Sequence, residues 1–244
     1  MVIIKRSAFV VALLVAPTIY AAKLTPQTAA AFDRYIELAE ARMKTDWKAN
    51  AGGRVHGKKI DVPDGMIQHW VGAMFIPGAS ISQVKAVLQD YANYKNFNKP
   101  EVIESRQISH QGDEYDVFLR LYKSQVLTVV FNSNYHVLYV TPDPHHMYVI
   151  SRSTRIAEAK DAGHPDAGEE PVGDDTGFLW RLNSYWQFEQ ADAGVYAECE
   201  AISLSRDVPP LLGWMIKGLL EKFPKESMQN TLRGTKAAVM ARLH

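Results

Sequence analysis

Apolar and polar residues alternate along much of this chain with the period of two that is typical of β-strands. Such alternation marks one segment near 67–76 and then a series of six at 101–109, 113–123, 126–140, 146–157, 177–189 and 194–205. Short turns such as His110-Gln111-Gly112 separate neighbouring segments, which is the spacing of antiparallel hairpins. The pattern therefore predicts a curved antiparallel sheet of about seven strands.

Apolar residues at helical intervals precede and interrupt this series. Thr25-Pro26 opens a pattern that runs to about Trp47, and residues 50–65, rich in Gly, Lys and Asp, are typical of a connector. Ser80 is placed to cap a second helix over 82–94. We therefore expect a helix on either side of the first strand.

A long helical region follows the last strand. After Pro209-Pro210, an apolar helix is predicted over 211–222, and Pro224 starts a further helix that reaches the C-terminus. The first of these is apolar over too wide an arc for one stripe, which indicates a largely buried helix. The alternative is that 208–223 forms an apolar entrance able to make transient contact with a membrane. The whole order of elements predicts an α+β fold in which the sheet wraps a long C-terminal helix, with an extra N-terminal helix.

The first residues have the layout of an export signal. Lys5 and Arg6 precede the apolar run 7–16, and Ala21-Ala22 offers small residues for cleavage. We expect a signal peptide over 1–22, an N-terminal helix and connector over 23–64, and one ligand-binding domain over 65–244. The protein is then periplasmic or secreted, with an uncleaved N-terminal anchor as the alternative.

Composition narrows the function classes. Lys and Arg number 27 and so do Asp and Glu, so no excess of basic charge favours nucleic acid as a partner. Cys199 is the only cysteine, which rules out an intrachain disulfide, and its neighbours Ala197 and Ala201 indicate a small buried residue rather than a nucleophile.

Strand alternation fixes which residues share a face of the sheet. Guessed turns pair Val117 with Phe131, Val137 with Val149, and Trp186 with Ala197 on one apolar face. The opposite face is polar and places Asn183 opposite Glu200. Arg155 falls on the apolar face near a strand end, where we expect a charge at the rim.

Small residues collect in mid-strand on the apolar face, with bulky ones around them. Because protein interiors are close-packed, facing small side chains leave a hollow that a helix or a ligand must fill. We expect a ligand cavity here, with filling by a helix as the alternative. The side chains predicted to line it are Phe131, Ser133, Tyr135, Ser151, Ser153, Trp180, Leu182, Ser184, Trp186 and Cys199 from the sheet, and Met215, Leu219, Met228 and Leu232 from the C-terminal helices.

One long acidic segment interrupts the strands at 158–176. We expect a mobile loop that is solvated by its charges. A partner- or metal-binding role for His164, Asp166, Glu169 and Glu170 is the alternative.

Sequence motifs of catalysis are missing. There is no Gly-rich phosphate loop, no His-Glu-x-x-His and no Gly-x-Ser-x-Gly, and adjacent His145 and His146 would point to opposite faces of a strand. Glu198 and Glu200 share the polar face near Arg181, where surface ion pairing is expected. A register slip of one residue would turn both carboxylates into the cavity. We predict no catalytic residue, no metal site and no cofactor.

A likeness to a known group of proteins is found in four segments: 177–186, 195–207, Gly213-Trp214-Met215-Ile216 and 224–228. Over roughly 65–242 the chain resembles the START/Bet v 1-like helix-grip (SRPBCC) superfamily, in particular its polyketide cyclase and lipid-transport group. The resemblance implies a hydrophobic cavity between the sheet and the C-terminal helix, and it implies no shared catalytic motif.

These observations favour binding or transport of a hydrophobic small molecule, such as a lipid, an isoprenoid or a polyketide-like compound. The alternatives are a cyclase, dehydratase or hydrolase acting in the same cavity, and a module that binds a protein or a membrane. The first alternative needs an acid or base that points inward.

Overall fold

The computed structural model of the protein describes residues 22–43, 55–124, 128–161, 164, 167–207 and 210–243, with only the helix backbone described for 210–221. Most of the predicted signal peptide and the side chains of Met215 and Leu219 therefore lie outside the described residues, as does Asp166.

Ten strands and four helices make up the described chain. The strands are β1 (Ala22–Lys23), β2 (His56–Val62), β3 (Gly65–Pro77), β4 (Val102–Gln111), β5 (Glu114–Ser124), β6 (Thr128–Asp143), β7 (His146–Glu158), β8 (Asp174–Asp175), β9 (Arg181–Ala191) and β10 (Gly194–Arg206). The helices are α1 (Pro26–Met43), α2 (Ile81–Leu88), α3 (Tyr94–Phe97) and α4 (Pro210–Met240), with a 3₁₀ turn at Tyr91–Asn93.

Eight strands form one antiparallel sheet in the order β2-β3-β10-β9-β7-β6-β5-β4, and β1 pairs with β8 in a separate two-stranded sheet. The predicted antiparallel sheet, N-terminal helix and long C-terminal helix are confirmed. The expected connector over 50–65 is wrong where the structure describes it, because His56–Val62 pairs with β3 as an edge strand. Its Lys58 and Lys59 are exposed, as is usual at a sheet edge.

Helices cover both faces of the sheet. We call the face toward α4 the inner face and the one toward α1 the outer face. The inner face joins α2 and α4 in the larger apolar core, whereas the outer face packs on α1 through Phe32 and Ile36. Thr25 Oγ1 accepts a hydrogen bond from Thr28 N and caps α1. The outer face, expected to be polar, is therefore partly buried under α1.

Two glycines allow α4 to approach its neighbours closely. A Cβ added at Gly72 would lie 2.7 Å from Leu232 Cδ1, and one at Gly234 would lie 1.9 Å from Phe97 O. The helix continues through Pro224, although a new helix was expected to start there. Ser80 caps α2 with a capping box to Gln83, as predicted.

Hairpin registers differ from the guessed ones mostly by even numbers of residues. Trp186 pairs with Cys199, two residues from the expected Ala197, so each side chain keeps its face. A bulge at Thr154 in β7, opposite Asn134 and Tyr135, is the exception, since it places Arg155 opposite Asn134 on the outer face. The expectation that Arg155 lies on the apolar face is therefore wrong.

The described part of 158–176 is packed against the protein and is not simply solvated. Ala159 forms a bridge with Glu169, and β8 pairs with β1. The Glu169 carboxylate forms an ion pair with Arg155 and accepts a hydrogen bond from Asn132 Nδ2 at 2.8 Å. These contacts attach the segment to the outer face.

None of the helices in the described part of the chain is both long enough and apolar enough to cross a bilayer.

Candidate functional site

A cavity of about 540 Å³ lies between the inner face of the sheet and α4. Strands β3, β5, β6, β7, β9 and β10 supply its floor. The segment from Leu88 to Val102, Phe178 and Leu179 before β9, and the α4 residues from Phe223 onward complete the described wall. The wall is predominantly apolar and rich in aromatic rings. Voids larger than a water molecule are few in protein interiors, so a space of this size is a candidate binding site.

Hydrogen-bonded tyrosines form one part of the wall. Tyr139 Oη donates to Leu88 O at 2.8 Å, so its single proton is committed, and Tyr91 Oη must donate to Tyr139 Oη at 2.6 Å. Burial raises the pKa of both phenols well above its usual range, so neither ionises at neutral pH. This part of the wall is uncharged, with its polar atoms already paired.

Four serine hydroxyls on the floor have no hydrogen-bond partner among the described residues. They belong to Ser151, Ser184, Ser203 and Ser205, all of which line the cavity. Ser151 lies directly opposite Ser184 on the neighbouring strand. The hydroxyls are therefore available to a molecule in the cavity.

Tyr135 adds a fifth hydroxyl. The residue is only 4% exposed and lines the cavity, yet its Oη has no hydrogen-bond partner among the described residues. Burial raises the pKa of Tyr135 to about 12, with the nearby Ser133 hydroxyl opposing that rise. Ser133 Oγ itself donates to Leu119 O at 2.7 Å. The Tyr135 phenol is thus a neutral donor without an acceptor.

The charged groups at the described part of the wall are Glu101 and Lys123, which lie together. Lys123 Nζ is 3.5 Å from Glu101 Oε1 and 4.8 Å from the centre of the Phe223 ring. Asn230 Nδ2 also donates to Glu101 Oε1. This corner links β5, the segment before β4 and α4, and its charges offset each other.

Cys199 lies on the floor and is 2% exposed, so its predicted burial is confirmed. Burial raises the pKa of its thiol far above the usual range, with the carboxylates of Glu200 and Glu198 adding to the effect. Because the thiolate is the reactive form, this cysteine is poorly suited to act as a nucleophile.

Of the side chains predicted to line a cavity, the structure brings eight together around this one. They are Phe131, Tyr135, Ser151, Leu182, Ser184, Trp186, Cys199 and Met228. Whether they contact a ligand remains a prediction.

Four other predicted residues lie away from the cavity wall. Ser133 is fully buried against β5, and Ser153 Oγ accepts a hydrogen bond from Leu182 N beside the β7 bulge. Leu232 fills the space over Gly72. Trp180 precedes β9 and packs under α1, where its Nε1 donates to Asp175 Oδ1 at 3.2 Å. The prediction that Trp180 shares a face with Trp186 is therefore wrong.

Several wall residues escaped the sequence analysis. Trp70 lines the cavity from β3, a strand whose pairing was not considered, and it lies opposite Ala201. Tyr91 and Tyr94 come from the turn after α2, which alternation does not describe. Strand alternation could have found Val117, Leu119 and Leu121, since they share the face of Phe131 and Tyr135.

Glu200, considered above as a possible catalytic carboxylate, points away from the cavity. Its Oε2 lies 2.7 Å from His69 Nε2 and 2.6 Å from Arg42 Nη2, beneath α1. Burial tends to raise the pKa of Glu200, but the hydrogen bonds and charges of His69 and Arg42 outweigh it and hold the pKa below its usual value. The expected surface ion pair is therefore a buried network. It attaches α1 to the outer face.

No group of three or more His, Cys, Asp or Glu side chains in the described ranges is arranged to hold a metal ion. His146, one of the adjacent histidines, has its Nδ1 within 2.9 Å of the Asp143 carboxylate in the preceding turn.

Neither the family models nor the curated proteins compared with this chain give a match. Several solved structures do match it. Human STARD10 aligns with a TM-score of 0.53 at 10% identity, covering 85% of this chain and 80% of its own. A STAR-related lipid transfer protein from Xanthomonas axonopodis gives a TM-score of 0.50 at 16% identity, covering 75% and 98%. The Zhui aromatase/cyclase from Streptomyces sp. R1128 gives 0.50 at 11% identity, covering 73% and 96%.

At these identities the likeness concerns the fold alone. The chain has a START-like fold, in which an eight-stranded antiparallel sheet packs on a C-terminal helix, and an N-terminal helix covers part of the outer face.

Proposed function

We propose that this protein binds a hydrophobic small molecule in the cavity and carries it through an aqueous compartment. The observation that carries the proposal is the cavity of about 540 Å³ with a predominantly apolar wall. Its size lies within the range of roughly 300–1,000 Å³ that is usual for small-molecule sites. The names of two similar structures refer to lipid transfer and to aromatase/cyclase activity, which agrees with a guest of this kind.

Burial of an apolar guest supplies enough free energy for useful binding. Each methylene moved out of water contributes about 0.8 kcal/mol, so ten contribute about 8 kcal/mol. The loss of translational and rotational freedom costs about 4 kcal/mol or more. Ten methylenes thus leave about 4 kcal/mol, a dissociation constant of about 1 mM, and each further methylene tightens binding about fourfold. A guest with a longer chain or a larger ring system therefore binds usefully and still reversibly, as a carrier requires. Lipids, isoprenoids and polyketide-like compounds all belong to the proposed class.

Catalysis in the same cavity is not favoured by a specific observation. Glu198 and Glu200 belong to the outer face, so the carboxylates that would have served as acid and base lie on the wrong side of the sheet.

Native mass spectrometry of the freshly purified full-length chain tests the proposal, together with solvent extraction of the same sample. We expect an additional mass that the extract identifies as a hydrophobic compound. Ala201→Phe, which places a ring in the cavity, should reduce the bound fraction severalfold. Ala237→Phe, the same change on the exposed side of α4, should leave it unchanged.

Near-ultraviolet circular dichroism establishes that both variants are folded. The proposal fails if the wild-type protein yields no guest and also shows no saturable binding of 1-methylpyrene, an apolar fluorescent probe.

A further inference from the structure

The floor of the cavity carries a row of hydroxyls that have no hydrogen-bond partner among the described residues. The sheet order places β6, β7, β9 and β10 side by side; the first three contribute Tyr135, Ser151 and Ser184, and β10 contributes Ser203 and, two residues further on, Ser205. Ser151 and Ser184 are direct cross-strand partners. Tyr135 lies opposite Ser153, two residues from Ser151, and Ser203 lies opposite Leu182, two residues from Ser184.

This arrangement puts neighbouring members within reach of one small molecule. Side chains directly opposite each other on antiparallel strands have Cβ atoms about 5 Å apart, and diagonal neighbours about 7–8 Å. The row therefore forms an arc across four strands: Ser151 and Ser184 lie level with each other, and Tyr135 and Ser203 lie two residues away toward the same end of the sheet. On either side of it the wall is apolar, with Leu182, Trp186 and Val137 among its members.

Hydroxyls in an apolar wall are costly unless they are paired. A buried polar group without a hydrogen bond costs about 1–3 kcal/mol, and Tyr135 Oη is such a group. A tyrosine phenol is protonated at neutral pH, and burial raises the pKa of Tyr135 further, to about 12. It can therefore donate to an acceptor oxygen, while each serine can both donate and accept.

Given the proposed function, on which this step rests, we propose that the row selects guests that carry uncharged oxygen atoms along one edge. Hydroxyl or carbonyl oxygens of the guest lie on the row, and its hydrocarbon surface lies against the aromatic and aliphatic wall and α4. The guest is an oxygenated apolar molecule, and the row distinguishes it from a plain hydrocarbon of the same shape.

The test compares two fluorescent probes of nearly equal size, 1-pyrenemethanol and 1-methylpyrene, which differ by one oxygen. Their dissociation constants are measured by fluorescence titration for wild type, Tyr135→Phe and the double variant Ser151→Ala/Ser184→Ala. We expect the ratio of the two constants to shift about fivefold against 1-pyrenemethanol in at least one of these variants. Binding of 1-methylpyrene should stay within a factor of two.

Two variants serve as matched controls. Tyr196→Phe changes a phenol on the other face of β10, and Ser109→Ala removes an exposed hydroxyl from β4, so both should keep the wild-type ratio. A thermal melt guards against unfolding. Removal of unpaired hydroxyls should leave the melting temperature of the guest-free protein unchanged or higher.

The outcomes separate the two proposals. If both probes bind and the ratio is unchanged in Tyr135→Phe and in the serine double variant, the row does not select oxygenated guests, although hydrophobe binding stands. If neither probe binds to the extracted wild-type protein, the selection by the row fails, and the proposed function fails with it when the purified protein has also yielded no guest.

Discussion

The Glu200 carboxylate illustrates how the surroundings of one residue decide its structural role. By alternation it belongs to the outer face, which the polar neighbours Asn183 and Glu198 mark as solvent-facing. In the structure Glu200 is 6% exposed, because α1 covers it. An ionised carboxylate can only accept hydrogen bonds, so His69 Nε2 donates to it, and His69 Nδ1 lies 2.7 Å from Tyr35 Oη.

Glu200→Gln should lower the free energy of unfolding by about 3 kcal/mol at pH 7, because it leaves the buried His69 and the half-exposed Arg42 without an anionic partner. The folded protein holds the pKa of Glu200 below its usual value, so its ionised form contributes stability above the unfolded pKa of about 4.3. That contribution is lost as the pH falls from there through the folded pKa. The difference between variant and wild type should therefore shrink below about pH 4, as urea unfolding at several pH values would measure.

An exposed glutamate-histidine pair provides the control. Glu114 Oε2 lies 3.9 Å from His136 Nε2, and the Glu114 side chain is 60% exposed. Glu114→Gln should change the free energy of unfolding by no more than about 0.5 kcal/mol. Equal effects of the two substitutions would show that burial under α1 adds nothing to the Glu200 network.

At the scale of elements, the docking of α4 depends on close backbone approach at Gly234. Alanine at this position would gain about 1 kcal/mol in helix propensity. Its Cβ, however, would lie 1.9 Å from Phe97 O, a backbone atom that cannot rotate away. Overpacking of this kind typically costs about 1–3 kcal/mol, so the clash should outweigh the gain.

We therefore expect Gly234→Ala to lower the free energy of unfolding by about 1–2 kcal/mol in urea titrations. Lys236→Ala, a nearby change on the same helix that introduces no clash, is expected to stay within about 0.5 kcal/mol. A stabilised Gly234→Ala protein would mean that α4 does not depend on close contact with the segment before β4.

How far the elements could be predicted depended on the regularity of each pattern. Alternating strands and capped helices were found because a single period and a cap residue specify them locally. The edge strand β2 was not, since Gly57, Lys58 and Lys59 carry no apolar alternation and the strand is recognised only by its pairing with β3. Trp180 lies on the outer face because β9 begins only after it, and Arg155 lies there because of the bulge in β7. Both features arise from tertiary packing.

At the scale of the whole molecule, the sheet is held between α1 on one face and α4 on the other, and the cavity interrupts only the second of these layers. Alternation in the strands was sufficient to predict which face carries the cavity. It could not predict the contributions of Trp70, Tyr91 and Tyr94, because these depend on how separate elements come together.

Removal of a bound guest should lower the melting temperature of the protein without changing its secondary structure. A ligand that binds only the folded state stabilises it by about 2.7 kcal/mol at a hundredfold excess over the dissociation constant. Scanning calorimetry of extracted protein, with and without added 1-pyrenemethanol, would measure this difference. Ala201→Phe should show a much smaller shift, and an undiminished shift in that variant would place the probe outside the cavity.

The packing of α4 on the sheet has a consequence for the range of molecules that fit the cavity. Met228 and Leu232 of α4 pack directly on β3 at Gly72, which has no side chain. Helix and sheet are therefore in contact at this point, with no cavity space between them. Under the proposed function, this contact limits the length of an enclosed molecule, whereas the proposed hydroxyl row acts on its chemistry. The length and the chemistry of the guest then depend on different residues. Substitutions in one of the two sets could change one property of the guest and leave the other unchanged.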